Sequence, residues 1–281
     1  MRSPEARVSL TAAGAAAELY DAAIAQSAVL LSSQAEQGYV LGQCCQPIVI
    51  VRTREANIPA TLIRMTCGSA RAKPRANIYV DGFNLYYGAL KNTPHKWLDL
   101  DALFRTILPA YHIKRIRYFS ARISGRAGNP QAPSRQATYL RALRTLPNVT
   151  IHLGHFLTSE VFMPLAYPPA TGQKTVKVIK TEEKGSDVNL ATYLIVDAMR
   201  GDCDIAAVVS NDSDLCEPIR IVQQELKLPV GLLNPHPRPS QALLKLKPAF
   251  VRPIRSGPLS ASQFPALMTD TRGKFSKPTA W

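Results

Sequence analysis

Residues 77–84 have the sequence NIYVDGFN, a mainly apolar run that ends in an aspartate and a glycine. Short apolar runs bounded by turn residues are typical of strands that are buried on both faces of a parallel sheet. Asp81 would then follow the end of a central strand directly, and Gly82 would form the turn after it. This stretch predicts the first strand of an α/β sheet, with a carboxylate at the strand's carboxyl end.

The same pattern recurs farther along the chain. Residues 205–209 form a second apolar strand, and the sequence SNDSD at 210–214 places Asp212 and Asp214 directly after it. Asp187 begins a predicted helix whose apolar positions recur at helical spacing, so its carboxylate would lie at the helix's N-terminal end. The carboxyl ends of neighbouring parallel strands meet at one edge of a sheet. These acids are therefore expected to converge.

Strand and helix patterns alternate through this part of the chain. Predicted strands lie at residues 77–80, 116–119, 149–153, 205–209 and 230–233, and predicted helices at 100–108, 135–145, 187–199 and 214–226. A loop rich in proline and glycine is expected at 158–172, followed by a polar ribbon at 174–183. This alternation predicts an α/β fold with a doubly wound, mainly parallel sheet flanked by helices. Ligands of such sheets bind beyond the carboxyl ends of the strands.

The chain divides into three parts by composition. Residues 1–75 form an N-terminal extension of open role, either a small accessory segment or an upstream stretch outside the native product with Met65 as the start. Residues 76–252 form the α/β domain. Residues 253–281, rich in proline and in lysine and arginine, are predicted to be an irregular tail that either follows nucleic acid or only aids solubility.

The charge is strongly asymmetric, with a net value of +14. Acids and bases cancel in residues 1–70, so the excess lies in the remainder. No acid occurs between residues 102 and 159, whereas this segment contains many bases: Arg105, Lys114, Arg115, Arg117, Arg122, Arg126, Arg135, Arg141 and Arg144. Such density predicts binding of RNA or another single-stranded nucleic acid through the basic region 105–144. A basic surface that only aids solubility is the alternative.

The hydropathy and the cysteine content of the chain indicate the cellular compartment in which the protein is located. No uncharged apolar run is long enough to span a membrane, and Glu18 and Asp21 interrupt the alanine-rich opening where a signal peptide would be apolar. The 5 cysteines form no CxxC pair and no zinc-ligand spacing, and their odd number favours reduced thiols. These features predict a cytoplasmic protein without a membrane span.

Four aspartates carry the predicted chemistry: Asp81, Asp187, Asp212 and Asp214. Carboxylates at close range repel one another and regain protons unless a cation lies between them. Mg²⁺ or Mn²⁺ takes oxygen ligands and would remove this conflict. Each acid alone could instead hold a turn or cap a helix, so their joint placement carries the prediction.

Other side chains have two interpretations each. Glu182 and Glu183 are weaker ligand candidates or a solvated face, and Lys184 either contacts a phosphate or lies free at the surface. The aromatic side chains of Tyr86, Tyr87 and Trp97 either stack on bases or belong to the core and its rim.

Together the motifs VDGFN (80–84), EEKGSDVNLA (182–191) and VSNDSDL (209–215) resemble the NYN domain family, which is similar to PIN nucleases. The resemblance implies a Mg²⁺- or Mn²⁺-dependent ribonuclease in which Asp81, Asp187, Asp212 and Asp214 are ligands. Asn84 matches the family's asparagine beside the first acid and would orient it. Asn211 stands where relatives often have glycine, and residues 1–70 lie outside the resemblance.

The resemblance also brings an alternative activity. Some similar sequences carry the name 6-hydroxy-3-succinoylpyridine hydroxylase, an NADH-dependent monooxygenase of bacterial nicotine breakdown. The chain has no glycine-rich G-x-G-x-x-G turn for a dinucleotide, and its histidines do not pair as iron ligands. A non-catalytic RNA-binding protein is the remaining alternative.

Overall fold

The computed structural model describes residues 72–125 and 128–281. Residues 1–71 of the predicted extension, Met65 included, lie outside the described residues. The strands are β1 Arg75–Asp81, β2 His112–Ala121, β3 Val149–Pro164, β4 Thr175–Lys184, β5 Ile205–Val209, β6 Val230–Asn234, β7 Val251–Pro253, β8 Leu267–Asp270 and β9 Gly273–Ser276. The α-helices are α1 Gly82–Leu85, α2 Leu100–Ile107, α3 Ala132–Leu143, α4 Ser186–Met199, α5 Cys216–Gln224, α6 Gln241–Lys245 and α7 Ser256–Ala261. A π-helical turn spans Tyr86–Leu90 and a 3₁₀ turn spans Ser213–Leu215.

Seven strands form the main sheet in the order β4-β3-β2-β1-β5-β6-β7. All neighbours pair in parallel except β3 and β4, which are antiparallel. The predicted α/β fold with a doubly wound, mainly parallel sheet is therefore confirmed. The chain leaves β1 toward β2 on one side and returns to β5 on the other, so the strand order reverses between β1 and β5. In open α/β sheets the ligand crevice lies at this reversal, beyond the strands' carboxyl ends.

Each face of the sheet has its own apolar core. Successive side chains of a strand point to opposite faces, so Ile78 and Val80 join one core and Tyr79 the other. The first core also contains the apolar face of α2, and the second is covered by α4 through Leu190 and Leu194. Burial on both faces explains why β5 is wholly apolar and why residues 78–80 of β1 are apolar.

Strand β3 is much longer than the predicted 149–153. It continues to Pro164 and pairs with β4 from His155↔Lys184 to Pro164↔Thr175, forming a two-stranded arm. The predicted loop at 158–172 is thus wrong for residues 158–164. Large side chains remain exposed on both faces of the arm, Phe162 and Ile179 on one face and Leu157 and Met163 on the other. The arm therefore lacks both the apolar run and the alternation that reveal a half-buried strand.

The predicted irregular tail also differs from the structure. Residues 253–281 contain α7 and the β8–β9 hairpin, and the C-terminal residue Trp281 packs against Trp97 at 6.4 Å between ring centroids. Arg141 donates two hydrogen bonds to Asp270 and its guanidinium lies 4.2 Å from the Phe275 ring centroid. These contacts join positions far apart in sequence, which local composition does not encode.

Much of the basic region 105–144 is neutralised within the protein. Arg105, Lys114, Arg115, Arg117 and Arg141 all pair with carboxylates. Arg117 is buried and donates two hydrogen bonds, of 2.7 and 2.8 Å, to the buried Asp197 carboxylate. The region is therefore not a continuous free cationic surface, and this part of the sequence interpretation is corrected.

The structure bears on two further predictions, that the cysteines are reduced and that the chain has no membrane span. Cys203 and Cys216 are free thiols, and the other cysteines lie outside the described residues. Within residues 72–125 and 128–281, every helix is too short or too polar to cross a membrane. The cytoplasmic location stays a prediction.

Candidate functional site

The crevice between β1 and β5 is organised around Asp81. This aspartate is 5% exposed; its Oδ1 accepts the backbone N–H of Asn84 at 2.9 Å, and its Oδ2 accepts the Ser210 hydroxyl at 3.0 Å. The Ser210 Oγ in turn accepts the backbone N–H of Asp212 at 3.1 Å. Ser210 therefore links the strand end that holds Asp81 to the strand end that holds Asp212.

Gly82 allows the chain to turn directly after Asp81. A Cβ at this position would lie 2.7 Å from both the Phe119 carbonyl oxygen and the Tyr118 hydroxyl. Any side chain would push the turn away from β2, so the close approach requires glycine.

Asp187 reaches the crevice from the first turn of α4. Gly185, at φ +98°, reverses the chain after β4. The Ser186 backbone N–H and hydroxyl then donate to the Glu183 carboxylate at 3.1 and 2.7 Å. Glu183 thus serves as a capping group beside Asp187.

Asp212 caps the 3₁₀ turn by accepting the backbone N–H of Asp214 at 3.0 Å. It lines the same cavity as Asp81 and Asp187, whereas Asp214 is exposed and does not line that cavity. The four aspartates are named here the acidic cluster, with Asp214 at its margin.

The electrostatics of the acidic cluster are unbalanced. Burial, together with the charges of Asp81, Asp212, Glu183 and Asp214, raises the pKa of Asp187 to about 6. Burial also raises the pKa of Asp81, against the opposing effect of its hydrogen bonds. Among the described residues, no lysine, arginine or histidine forms an ion pair with any member of the acidic cluster.

The cluster's donor atoms suit a hard cation, because Mg²⁺ and Mn²⁺ take carboxylate oxygens. Within the part of the chain that the structure describes, no three His, Cys, Asp or Glu side chains already form a metal-binding group. Asp81 and Asp212 each use one oxygen as a helix or turn cap. The residues therefore fit such an ion in charge and chemistry, and binding would have to draw the oxygens closer.

Asn84 acts differently from the sequence expectation. Its backbone N–H, not its side chain, contacts Asp81, because Asp81 caps the short helix α1. The Asn84 Oδ1 accepts the backbone N–H of Asn211 at 3.0 Å and lies 2.9 Å from the Nε2 of His236. Since that oxygen can only accept, His236 carries its proton on Nε2. The Asn84 amide nitrogen makes no hydrogen bond within the described residues, and Asn84 lines the cavity.

Sequence reasoning treated His236 as an ordinary histidine. The residue lies just after β6, at the same carboxyl edge as Asp81 and Asp212. Its ring packs so tightly on Gly88 that a Cβ there would lie 2.8 Å from it. The position of His236 directly after a core strand was the available signal, because residues that follow such strands lie at this edge.

A cavity of about 940 Å³ opens from the acidic cluster. Its lining combines acidic, basic, aromatic and hydroxyl-bearing side chains: Asp81, Phe83, Asn84, Tyr86, Tyr87, Lys91, Lys96, Tyr118, Arg135, Tyr139, Phe156, Thr158, Thr181, Glu183, Asp187, Asp212, His236 and Trp281. We call this space the site cavity.

The other residues singled out from the sequence lie in three different environments: the site cavity, the core and the surface. Tyr86 and Tyr87 line the site cavity, whereas Trp97 is fully buried and donates its Nε1–H to the Pro265 carbonyl at 2.9 Å, so a base-stacking role for Trp97 is wrong. Glu182 pairs with Lys180 and Lys184, at 2.7 and 3.4 Å, on the solvated side of β4.

The fold and the site define an α/β domain of the PIN-like class, with acids at the switch point of a parallel sheet. The NYN domain model matches residues 75–252, and this chain belongs to the NYN domain family. The chain is 31% identical over 237 residues to the "6-hydroxy-3-succinoylpyridine 3-monooxygenase HspA" of Pseudomonas putida, covering 74% of this chain and 75% of that protein. A crystal structure of a protein of unknown function from Vibrio parahaemolyticus aligns with a TM-score of 0.45 and 18% identity, over 69% of this chain and 99% of that one.

Proposed function

We propose that this protein is a Mg²⁺- or Mn²⁺-dependent nuclease that hydrolyses phosphodiester bonds of single-stranded RNA. The observation that carries the proposal is the convergence of Asp81, Asp187 and Asp212 from three separate elements on one cavity, with the pKa of Asp187 raised to about 6 and no cationic partner among the described residues. Carboxyl groups whose pKa is raised by burial and like charges in a cleft cluster at functional sites.

The acidic cluster would hold the cation. A bound Mg²⁺ or Mn²⁺ supplies charge stabilisation on the phosphate and a lowered pKa for the attacking water. The protein's own contribution is positional: Ser210 and the Asn84 backbone fix Asp81, and the first turn of α4 carries Asp187. The Asn84 amide nitrogen is a free donor for a phosphate oxygen or the attacking water.

Nucleic acid is the substrate class that the cavity favours. Lys91, Lys96 and Arg135 line it, and none of them pairs with a carboxylate among the described residues. Free cations next to metal-suited acids match a chain of phosphates, in which one phosphate is cut and its neighbours are held.

The deciding experiment is cleavage of an end-labelled single-stranded RNA by the full-length protein with Mg²⁺, Mn²⁺ or chelator. We expect metal-dependent cleavage that Asp81→Asn and Asp212→Asn reduce by at least about 100-fold, since each removes a charged ligand. Glu217→Gln, at an exposed carboxylate of α5 that pairs with Arg220, is the control and should keep full activity. Cleavage that survives in both site variants, or in chelator, would contradict the proposal.

A hydroxylase is the second candidate, and it rests on the name of the Pseudomonas putida relative. An aromatic heterocycle would fit the aromatic wall of the site cavity. The turns after β1 and β5 carry Asp81 and Asp212 rather than a glycine-rich dinucleotide cradle. NADH consumption that depends on 6-hydroxy-3-succinoylpyridine, by protein that does not cleave RNA, would favour this candidate.

A further inference from the structure

The site cavity is larger than phosphodiester chemistry alone requires. Its volume of about 940 Å³ is at the upper end of the range that holds drug-sized ligands, roughly 300–1,000 Å³. Phosphates and riboses are polar and need no aromatic wall. The cavity is nevertheless lined by several aromatic rings: Phe83, Tyr86, Tyr87, Tyr118, Tyr139, Phe156 and Trp281.

The aromatic rings come from six separate parts of the fold. Phe83 follows β1 and meets Phe156 of the arm edge to face, with 5.8 Å between ring centroids. Tyr86 and Tyr87 belong to the π-helical turn and also meet edge to face at 5.3 Å. The C-terminal Trp281 lines the cavity as well. Rings gathered from such distant positions form a wall suited to a planar group.

The site cavity is lined by both acidic and basic side chains. The acids Asp81, Asp187 and Asp212 line one part, and Lys91, Lys96 and Arg135 are its basic lining residues. The Lys91 Nζ lies 5.0 Å from the centroid of the Tyr87 ring, and Tyr87 is 59% exposed. An exposed tyrosine beside an unpaired cation offers both a stacking face and a phosphate contact.

Resting on the proposed nuclease function, we propose that the site cavity is a nucleotide-binding subsite that takes one unstacked base of the RNA beside the cleaved bond. The base lies against the aromatic wall with Tyr87 as its stacking partner, and its own phosphate contacts Lys91, Lys96 or Arg135. The subsite selects single-stranded substrate, because a paired base cannot enter without leaving its helix. It also gives the enzyme a preference among the four bases, since the polar groups of the wall meet their edges.

The subsite is tested without metal and without cleavage. Calorimetric titration of the full-length protein in chelator compares the four ribonucleoside 5′-monophosphates with ribose 5-phosphate, which has the phosphate but no base. We expect at least one nucleotide to bind about tenfold or more tightly than ribose 5-phosphate, because base stacking on an aromatic ring is worth roughly 1–3 kcal/mol.

Three variants separate the contributions. Tyr87→Ala should weaken nucleotide binding by about tenfold and leave ribose 5-phosphate unchanged. Tyr167→Ala removes a tyrosine that is 94% exposed and does not line the cavity, so it should change neither ligand. Replacing Lys91, Lys96 and Arg135 together by alanine should weaken both ligands alike, because this removes the lysine and arginine side chains that line the cavity. Because Tyr87 is 59% exposed, its variant should fold as the wild type does.

The outcomes distinguish this inference from the proposed function. Nucleotide binding that Tyr87→Ala reduces, in a protein that does not cleave RNA, would support the subsite and remove the nuclease. Metal-dependent cleavage together with equal affinity for nucleotides and ribose 5-phosphate would overturn the subsite and leave the nuclease. Binding of 6-hydroxy-3-succinoylpyridine with no nucleotide binding would also overturn it.

Discussion

At the scale of single residues, the site is held by backbone capping rather than by side-chain contacts between acids. Asp81 and Asp212 each accept a backbone N–H from the turn that follows them, and Ser210 connects the two. A capping hydrogen bond fixes the position of the carboxylate and leaves its charge in place. This dual use explains why acids that look like ordinary caps in sequence also line the site cavity.

His236 is expected to act through Asn84, as a positioning residue. His236→Phe removes the Nε2–H that the Asn84 Oδ1 accepts at 2.9 Å, so the amide is held by Asn211 alone. A hydrogen bond of this kind contributes about 0.5–1.5 kcal/mol. If the proposed nuclease function holds, we expect kcat/KM for RNA cleavage to fall roughly tenfold, with most of the loss in kcat, because in that proposal the amide donates to the reacting phosphate or the attacking water.

Two further variants define the role of His236. His236→Gln keeps a side-chain donor and should recover part of the activity, which a merely space-filling role would not predict. His112→Phe, at an exposed position at the opposite end of β2, should behave as the wild type. A His236→Phe enzyme with unchanged kcat would remove the positioning role.

At the scale of elements, one buried network joins three of them. Asp197 of α4 is fully buried and accepts two hydrogen bonds from Arg117 of β2 and one, at 3.0 Å, from the Tyr79 hydroxyl of β1. Removing one partner of a buried ion pair leaves the other charge uncompensated, at a cost of about 3–5 kcal/mol. Asp197→Ala should therefore lower the free energy of unfolding by about that amount in urea titrations.

The control for the network is Glu217→Ala. Glu217 is exposed and pairs with Arg220 on the surface of α5, so screening by water leaves little to lose. Its urea midpoint should stay close to that of the wild type. A midpoint for Asp197→Ala equal to that of Glu217→Ala would show that the network adds no stability.

The elements also mark how far the sequence was informative. β5 matches its predicted range of 205–209, and β1 and β6 contain theirs, because a strand buried on both faces has a distinct apolar run. The arm and the C-terminal hairpin gave no such signal. Cross-strand pairs hold the arm, and contacts with Trp97 and Arg141 hold the hairpin, so their order depends on residues far away in sequence.

At the scale of the whole molecule, the convergence of the acids was predictable, and the cavity beside them was not. Asp81, Asp187 and Asp212 follow strand ends or begin a helix, so topology alone brings them to one edge. The site cavity needs side chains from α3, the arm and residue 281 as well. The basic region 105–144 has fewer free cationic side chains than its sequence indicates, because sequence spacing does not reveal which arginines already have acidic partners.

Repulsion within the acidic cluster lowers the stability of the protein, and a bound metal ion would raise it. Their opposition gives a prediction for the melting temperature of the whole protein. Without a cation, the partly buried charge of Asp187 faces several like charges and destabilises the native state. Asp187→Asn removes that charge, so in chelator the variant should melt at a higher temperature than the wild type. Mg²⁺ or Mn²⁺ should reverse this order, because an ion at about 100 times its Kd stabilises the wild type by about 2.7 kcal/mol, or roughly 5–10 °C.

Thermal denaturation of wild type and Asp187→Asn, each in chelator and with Mn²⁺, measures both effects in one experiment. Glu217→Gln removes one negative charge at the surface and controls for the general effect of losing a carboxylate. Its melting temperature should rise with metal as that of the wild type does. A wild type whose melting temperature is the same with chelator and with Mn²⁺ would mean that the acidic cluster binds no ion. An Asp187→Asn variant that melts lower than the wild type in chelator would mean that Asp187 stabilises the fold, contrary to the burial and the like charges that raise its pKa.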